Sequence, residues 1–207
     1  SVSSASSRSI LSPFCKRSGA IATIKHLAKA NTDPGKDQRT GDDAQHGGNR
    51  KVAKFYADER SHFVGGPLSA EMSWRMLAME VGHWALMGFG RWIVEEEASG
   101  EAIGLVGLFN PHGWPEREIG WDLFNGFEGK GYATEAGLAA RAYAYDVLGW
   151  DTAISLVKDG NETSAAVAKR MGAIADGEFT HDRHGHMFIY RHPAPSELSD
   201  GGMEAYA

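Results

Sequence analysis

The sequence predicts a mixed α/β fold of the α+β class, because strand patterns and helix patterns alternate along most of the chain. The strongest observation is a strand that runs through a glycine-rich turn into a helix between residues 118 and 148. A second is a pair of strand patterns joined by a short turn between residues 90 and 109. A third is a strand and helix followed by two more strands between residues 152 and 191.

Composition is that of a water-soluble globular protein. The 207 residues are 42% hydrophobic and 23% charged, which suits one domain with a tail. We expect no membrane partner, since no apolar run reaches the ~18 residues of a membrane span. The single cysteine, Cys15, fits a reducing compartment, so we expect a cytoplasmic protein. The formal net charge of −6 argues against nucleic acid as a partner.

The first fifty residues differ in character from the rest. Ser1 to Ser18 is rich in serine and basic residues, superficially like an organelle transit peptide. Residues 31–50 are rich in Asp, Gly, Asn and Gln, as linkers are. We expect three regions: a poorly ordered tail or linker over 1–50, a folded domain over 51–192 and a C-terminal tail over 193–207.

The first elements of the domain follow from periodicity. After a weak strand pattern at 20–24, the sequence predicts a short helix over 51–60, a turn at 65–67, a helix from Ser69 to about Met87, and a hairpin of strands at 90–96 and 101–109. The apolar side of the longer helix is expected to face the core and comprises Met72, Met76, Leu77, Met79, Val81 and Trp84.

The later elements centre on the glycine-rich turn. The residues from Glu118 to Phe124 alternate as in a half-buried strand, and a helix of small and aromatic residues follows from Tyr132 to about Leu148. Gly149 stands where a left-handed helix cap would fall. The remaining elements are a strand at 152–158, a helix at 161–171 and strands at 174–181 and 186–191.

The turn itself has the character of a phosphate-binding loop. Glycine at 129 and 131 lets a ligand approach the backbone, and the N–H groups at a helix start lack intrahelical partners. A Walker loop would need glycine at Phe124, and a dinucleotide fingerprint would need glycine at Thr134. These mismatches argue against a nucleotide hydrolase and leave G-K-G-Y-A-T-E-A, Gly129 to Ala136, as the motif.

That motif resembles the acetyl-CoA loop of the GNAT superfamily of N-acetyltransferases, and looks closest to the branch of ribosomal-protein N-terminal acetyltransferases. The preceding E-I-G-aromatic, at Glu118 to Trp121, matches as well. A second block, N-E-T-S-A-A-V-A-K-R-M-G-A from Asn161, resembles the family's N-x-x-S…K-x-x-G segment. The resemblance covers about residues 51–192.

The resemblance implies a GNAT-like, mostly antiparallel sheet with helices on both faces. Its central strands, here 118–124 and 152–158, would be splayed by a bulge so that acetyl-CoA can lie between them. The implied reaction is acetyl transfer from acetyl-CoA to a primary amine by direct attack in a ternary complex, with no metal. The acceptor would be a protein or peptide N-terminus or a small-molecule amine, and the enzyme a monomer or homodimer.

Two side chains are candidates for the chemistry. Glu118 is the candidate base, since an ammonium acceptor must lose a proton, and Asp122 on the same strand face is the reserve. Ser164 is the candidate acid for the leaving thiolate, because the tyrosine that many members use is Ala168 here. Glu118 could instead be a salt-bridged strand carboxylate, and Ser164 an ordinary residue of a helix capped by Asn161. A non-catalytic acyl-CoA-binding module is the alternative function.

Other residues are expected around these two. Those implied to hold coenzyme A are Leu123, Phe124, Gly129, Lys130, Gly131, Tyr132, Ala133, Thr134 and Asn161, with Lys169 and Arg170 near the adenosine phosphates. The acceptor could be selected by His62, Phe63 and Trp74. Asp182, His184 and His186 alternate along the last hairpin, and we expect them to border the acceptor cleft or solvent rather than bind a metal.

Overall fold

The computed structural model of the protein describes residues 22–26 and 68–199. Its elements in chain order are β1 (Ala22–His26), α1 (Ala70–Met87), β2 (Arg91–Glu96), β3 (Glu101–Phe109), β4 (Glu118–Leu123), α2 (Tyr132–Asp146), β5 (Ile154–Lys158), α3 (Glu162–Arg170), β6 (Ile174–His181), β7 (Gly185–Arg191) and α4 (Pro195–Ser199). The mixed α/β class is confirmed, and each element predicted after residue 68 is present. The helix and turn predicted at 51–60 and 65–67 lie outside the described residues.

The seven described strands form one sheet in the order β1-β2-β3-β4-β5-β7-β6. Neighbouring strands are antiparallel except β4 and β5, which are parallel. The strand β1 lies within the segment predicted as a tail and pairs with β2, so residues 22–26 supply one edge of the sheet. At the other terminus α4 lies within the predicted C-terminal tail, and its Leu198 packs against the core.

The core lies mainly on β3 and β4 under α2. Ile103, Leu105 and Ile119 are fully buried there. The buried side of α2 is made of small residues, among them Ala136, Ala140 and Ala144, so the helix backbone can approach the sheet closely. Gly149, predicted as a left-handed cap, does have a left-handed φ of 68°, but the cap of the helix is Val147, whose φ is −106°.

The prediction for the apolar side of α1 is partly wrong. Trp84 is buried, but Met72 and Val81 are 38% and 37% exposed. The inward face of this helix instead carries Ser73, Glu80, His83 and Trp84. Polar side chains can be buried here because each has a partner in the fold: Glu80 with Arg91, and His83 with the backbone of Phe89 and Asn110.

Candidate active site

The central strand pair separates almost at once. β4 pairs with β3 over six residues without a register shift, so the implied bulge is not found in this pairing. With β5, however, β4 pairs only at Glu118 opposite Ile154. Beyond that point the strands diverge, and a cleft of about 1560 Å³ opens between them. We call this space the central cleft; it is bordered by β4, β5, α3, the glycine loop before α2, α1 and the β6–β7 turn.

Glu118 lies at the root of this opening, where the two strands part. Its side chain is buried, with one carboxylate oxygen accepting from the Trp114 indole N–H at 2.6 Å and the other from the Leu156 backbone N–H at 3.1 Å. Burial raises the pKa of Glu118 to about 7, although both hydrogen bonds favour the anion. A carboxyl group that titrates near neutral pH can take up a proton from an ammonium group or from water.

Asp122, the reserve candidate, lies on the same strand and also borders the central cleft. Its carboxylate accepts from Arg91 at 2.5 Å, and Arg91 also binds the fully buried Glu80. Arg91, which also borders the cleft, thus connects the lining residue Asp122 to Glu80, which does not border the cleft. Asp122 is therefore part of an ion network, whereas Glu118 accepts only N–H groups of Trp114 and Leu156 among its described hydrogen bonds.

Trp114 connects Glu118 to a group of rings at one end of the cleft. Its ring lies 5.4 Å from that of Phe109, 5.3 Å from that of His181 and 5.6 Å from that of His184. The role of Trp114 was not predicted, because its contact with Glu118 depends on how loop 110–116 folds back over β4. A tryptophan four residues before a strand carboxylate was the available signal.

The glycine loop before α2 also borders the cleft. Gly129 and Gly131 have positive φ angles of 75° and 90°, and a β-carbon at either position would meet no atom within 4 Å. Gly131 caps α2 without any side-chain hydrogen bond, whereas α1 and α3 are capped by the side chains of Ser69 and Asn161. The N-terminus of α2 is thus an open site for an anion, and the loop residues fit the diphosphate of coenzyme A.

The structure brings most, but not all, of the expected coenzyme A residues to the cleft. Those that border it are Leu123, Gly129, Gly131, Ala133, Thr134 and Asn161. Phe124 is buried in the core and donates its N–H to Ile103, while the hydroxyl of the buried Tyr132 bonds to Glu96. Lys130 lies over the Phe127 ring at 5.1 Å. Of the two helical cations, Arg170 borders the cleft and Lys169 is exposed outside it.

Ser164 and Asn161 meet at the start of α3. The side-chain oxygen of Asn161 accepts the backbone N–H of Ser164 at 3.1 Å and the hydroxyl of Thr163 at 3.2 Å. Both Asn161 and Ser164 border the central cleft. Since the Asn161 oxygen serves the helix cap, its amide nitrogen is the group suited to a ligand. Ala168, one turn beyond Ser164, is fully buried and offers no hydroxyl.

The side of the cleft formed by α1, where the sequence predicts contacts with the acceptor, differs from the prediction. Met72, Met76 and Met79 border it from α1, whereas Trp74 is 68% exposed and is not among the lining residues. His62 and Phe63 lie outside the described residues. The methionines were predicted as core because their spacing is that of a buried helix face, a spacing that a face lining a cleft shares.

The alternation expected for Asp182, His184 and His186 is interrupted by the β6–β7 turn. Asp182 and His184 border the cleft, while His186 pairs with Glu178 at 3.1 Å. Within residues 22–26 and 68–199, no three His, Cys, Asp or Glu side chains are grouped so that they could hold a metal ion. The described helices also include none with the length and apolar character to cross a membrane.

The chain is similar to proteins of a known family. The family profile described as "Acetyltransferase (GNAT) domain" matches residues 48–174. A solved acetyltransferase from Agrobacterium tumefaciens is 31% identical to this chain, with a TM-score of 0.65 over 83% of this chain and 90% of that one.

Two more distant structures share the fold. A spermidine N-acetyltransferase chimera from Vibrio cholerae and hSSAT is 16% identical, with a TM-score of 0.58 over 74% of this chain and 93% of that one. A ribosomal-protein-S5-alanine acetyltransferase from Vibrio fischeri is 16% identical, with a TM-score of 0.53 over 73% and 90%. At this identity the likeness is one of fold alone.

Proposed function

The chain belongs to the GNAT acetyltransferase family, and from its central cleft we infer that it transfers an acetyl group from acetyl-CoA to a primary amine. The observation that supports this most is that one cleft joins an uncapped helix start at Gly131 to a buried carboxylate, Glu118. The first suits the diphosphate of a coenzyme and the second suits a base for an ammonium group. A single ligand lying between β4 and β5 would connect them.

We assign Glu118 as the base. Acetyl-CoA supplies a thioester, whose carbonyl carbon is attacked directly by the neutral amine. Glu118 accepts the proton that the ammonium loses, directly or through a water molecule. Beyond Ile119, β4 has no partner in β5, so its backbone N–H groups that do not bond to β3 are available to the oxyanion that forms during attack.

We assign Ser164 as the acid. As the carbon–sulfur bond breaks, its hydroxyl passes a proton to the thiolate of coenzyme A and takes up a proton from water in return. Ser164 borders the cleft, and its backbone, not its hydroxyl, takes part in the helix cap. With Ala168 fully buried, the tyrosine position of many family members cannot serve this purpose here.

The acceptor is a peptide N-terminus or a small-molecule amine. The methionines Met72, Met76 and Met79 give the acceptor side an adaptable apolar wall. The ion network of Asp122, Glu80 and Arg91 contains two carboxylates and one guanidinium, so it carries a net negative charge beside the cleft, which favours an ammonium group over a carboxylate. An amine that carries an apolar group next to its reactive nitrogen matches both features.

The test combines coenzyme binding with a screen of acceptors. Purified protein is mixed with acetyl-CoA, a thiol-reactive dye and a panel of amines that includes polyamines, arylalkylamines and tripeptides with free N-termini. We expect release of free thiol with at least one acceptor, and the acetylated amine in the mass spectrum. Binding of acetyl-CoA without thiol release on any acceptor would instead identify a non-catalytic acyl-CoA-binding module.

A further inference from the structure

We propose that Ser155 is a positioning residue for acetyl-CoA. Together with Glu118, it replaces one backbone hydrogen bond, or rung, of the β4–β5 ladder and so holds open the slot, the part of the central cleft between these two strands in which acetyl-CoA would lie. The identity of the ligand rests on the proposed function, whereas the replaced rung is a property of the protein alone. Ser155 is buried on β5 and was not predicted as a site residue.

The ladder between β4 and β5 begins normally. Ile154 donates its N–H to the carbonyl of Arg117 at 3.0 Å, and Glu118 lies opposite Ile154. In a regular parallel ladder the next bond from β5 would run from the N–H of Leu156 to the carbonyl of Ile119. The Leu156 N–H and the Ile119 carbonyl do not form this bond.

Both groups are satisfied by side chains instead. The Leu156 N–H donates to the Glu118 carboxylate at 3.1 Å, and the Ile119 carbonyl accepts the Ser155 hydroxyl at 2.6 Å. At this rung the two strands can therefore part without leaving either backbone group unpaired. A buried backbone group without a hydrogen-bond partner would be costly. The point at which β4 and β5 separate is thus set by the side chains of Ser155 and Glu118. A β-bulge in β4 does not set it, because the pairing of β4 with β3 has no register shift.

His192 fixes the orientation of the serine hydroxyl. Its Nε2 lies 2.9 Å from the Ser155 oxygen, and its backbone N–H donates to Ala153 at 2.9 Å. Burial, with the nearby Arg141, lowers the pKa of His192 to about 3, so the ring is neutral. Because the serine hydrogen points to Ile119, Nε2 must carry the hydrogen that it shares with the serine oxygen.

This arrangement also argues against Ser155 as a nucleophile. A histidine base would have to offer a lone pair to the serine hydroxyl, whereas here the serine oxygen accepts from the ring. The other ring nitrogen of His192 is buried and has no hydrogen-bond partner among the described residues. His192 therefore supports Ser155 and does not activate it.

Removing the hydroxyl should let the ladder continue. In Ser155→Ala, the Ile119 carbonyl loses its donor, and the Leu156 N–H is the group that would bond to it in a regular parallel ladder. That exchange would draw β5 toward β4, narrow the slot and take one hydrogen bond from Glu118. We expect the Kd for coenzyme A to rise by roughly tenfold or more.

The experiment has two independent measurements. Calorimetry gives the Kd for coenzyme A, and NMR of the ligand-free, isotope-labelled protein detects the scalar coupling that a hydrogen bond transmits from Leu156 nitrogen to the Ile119 carbonyl carbon. We expect no such coupling in wild type and a coupling in Ser155→Ala. Ser155→Thr, which keeps a hydroxyl, should restore tight binding and abolish the coupling.

A matched control is Ser73→Ala. Ser73 is equally buried, and its hydroxyl donates to the Ser69 carbonyl on α1, so the same deletion is made away from the ladder. The proposal is overturned if Ser155→Ala binds coenzyme A as wild type does, or if the ladder coupling is absent from Ser155→Ala or already present in wild type. If wild type itself fails to bind coenzyme A, the proposed function is wrong, and the coupling still decides whether the rung is replaced.

Discussion

At Glu118 two opposing effects act on one carboxyl group. Burial favours the protonated form, while the N–H groups of Trp114 and Leu156 favour the anion. The balance leaves the pKa at about 7, near the pH at which a general base is most effective. A carboxylate at the same position with full exposure to water would be ionised at neutral pH but would bind a proton too weakly to remove one from an ammonium group.

We therefore expect Glu118→Gln to lower kcat by a factor on the order of 10² to 10⁴, because the amide cannot accept the proton. Wild-type activity should rise with pH through about 7 as Glu118 ionises, and this rise should be missing from the variant. Steady-state kinetics between about pH 5.5 and about pH 9, on the acceptor found in the screen, measure both effects. These limits lie about one and a half to two pH units on either side of the pKa of Glu118. An unchanged kcat and pH profile would remove Glu118 from the mechanism.

The same variant has a signature in stability. Since the folded pKa of Glu118 lies above its ordinary value of 4.5, the group stabilises the folded state fully below that value and loses this contribution as pH rises toward about 7. Glutamine cannot titrate, so the unfolding free energy of wild type should fall relative to the variant across this window. Urea denaturation at several pH values gives the difference, and a constant difference would contradict the raised pKa.

Ser164 offers a separate test at the residue scale. The Asn161 side chain caps α3 through the backbone N–H of Ser164, so Ser164→Ala keeps the cap. We expect kcat to fall by about tenfold or more with little change in Tm, because only the proton donor is lost. Asn161→Ala is the contrasting variant, and it should lower stability by roughly 0.5–2 kcal/mol. Wild-type kcat in Ser164→Ala would dismiss the hydroxyl as the acid.

At the scale of elements, the two ends of α2 differ in position relative to the central cleft despite similar glycines. Gly131 at its start and Gly149 just after its end both have positive φ, and a β-carbon at either would meet no neighbouring atom. Only the start borders the central cleft. Backbone strain can thus be introduced at either end, but it should disturb a ligand at one end alone.

Gly131→Ala should weaken binding of coenzyme A, because the added methyl group and the strained φ move the N–H groups of the first turn of α2. We expect the Kd to rise by roughly tenfold, corresponding to about 1.4 kcal/mol. Gly149→Ala is the matched control, with a similar loss of stability and an unchanged Kd. Equal Kd values for the two variants, measured by calorimetry, would place the diphosphate elsewhere.

Some of these elements could be predicted from the sequence, whereas other features could not. β3 was predictable because it is one uninterrupted apolar run, and α2 because its small and aromatic residues recur at helical spacing. The inward face of α1 was not, since Glu80 and His83 are buried only because of partners 11 and 27 residues away. Ser155 was missed for the same reason, because its partners lie 36 and 37 residues away. Within β5 itself, the sequence pattern shows Ser155 only as one buried residue among several.

At the scale of the whole molecule, the sheet consists of two halves that share one paired position. β1 to β4 form one half and β5 to β7 the other, joined at Glu118 opposite Ile154. Further links come from Arg191 of β7, which binds Glu116 and Thr152 around this junction. A ligand lying in the central cleft would touch both halves at once.

Acetyl-CoA should therefore stabilise the protein as a unit. At a free concentration of a hundred times Kd, the unfolding free energy should rise by about 2.7 kcal/mol, since only the folded cleft binds the ligand. At roughly 2–4 °C per kcal/mol, Tm should rise by about 5–10 °C, and amide exchange should slow on β4 and β5 together. At the same ligand concentration Gly131→Ala should show a smaller rise, whereas Gly149→Ala should show the full one. If amide exchange slowed on β4 alone, or if acetyl-CoA left Tm unchanged, no ligand would lie between β4 and β5.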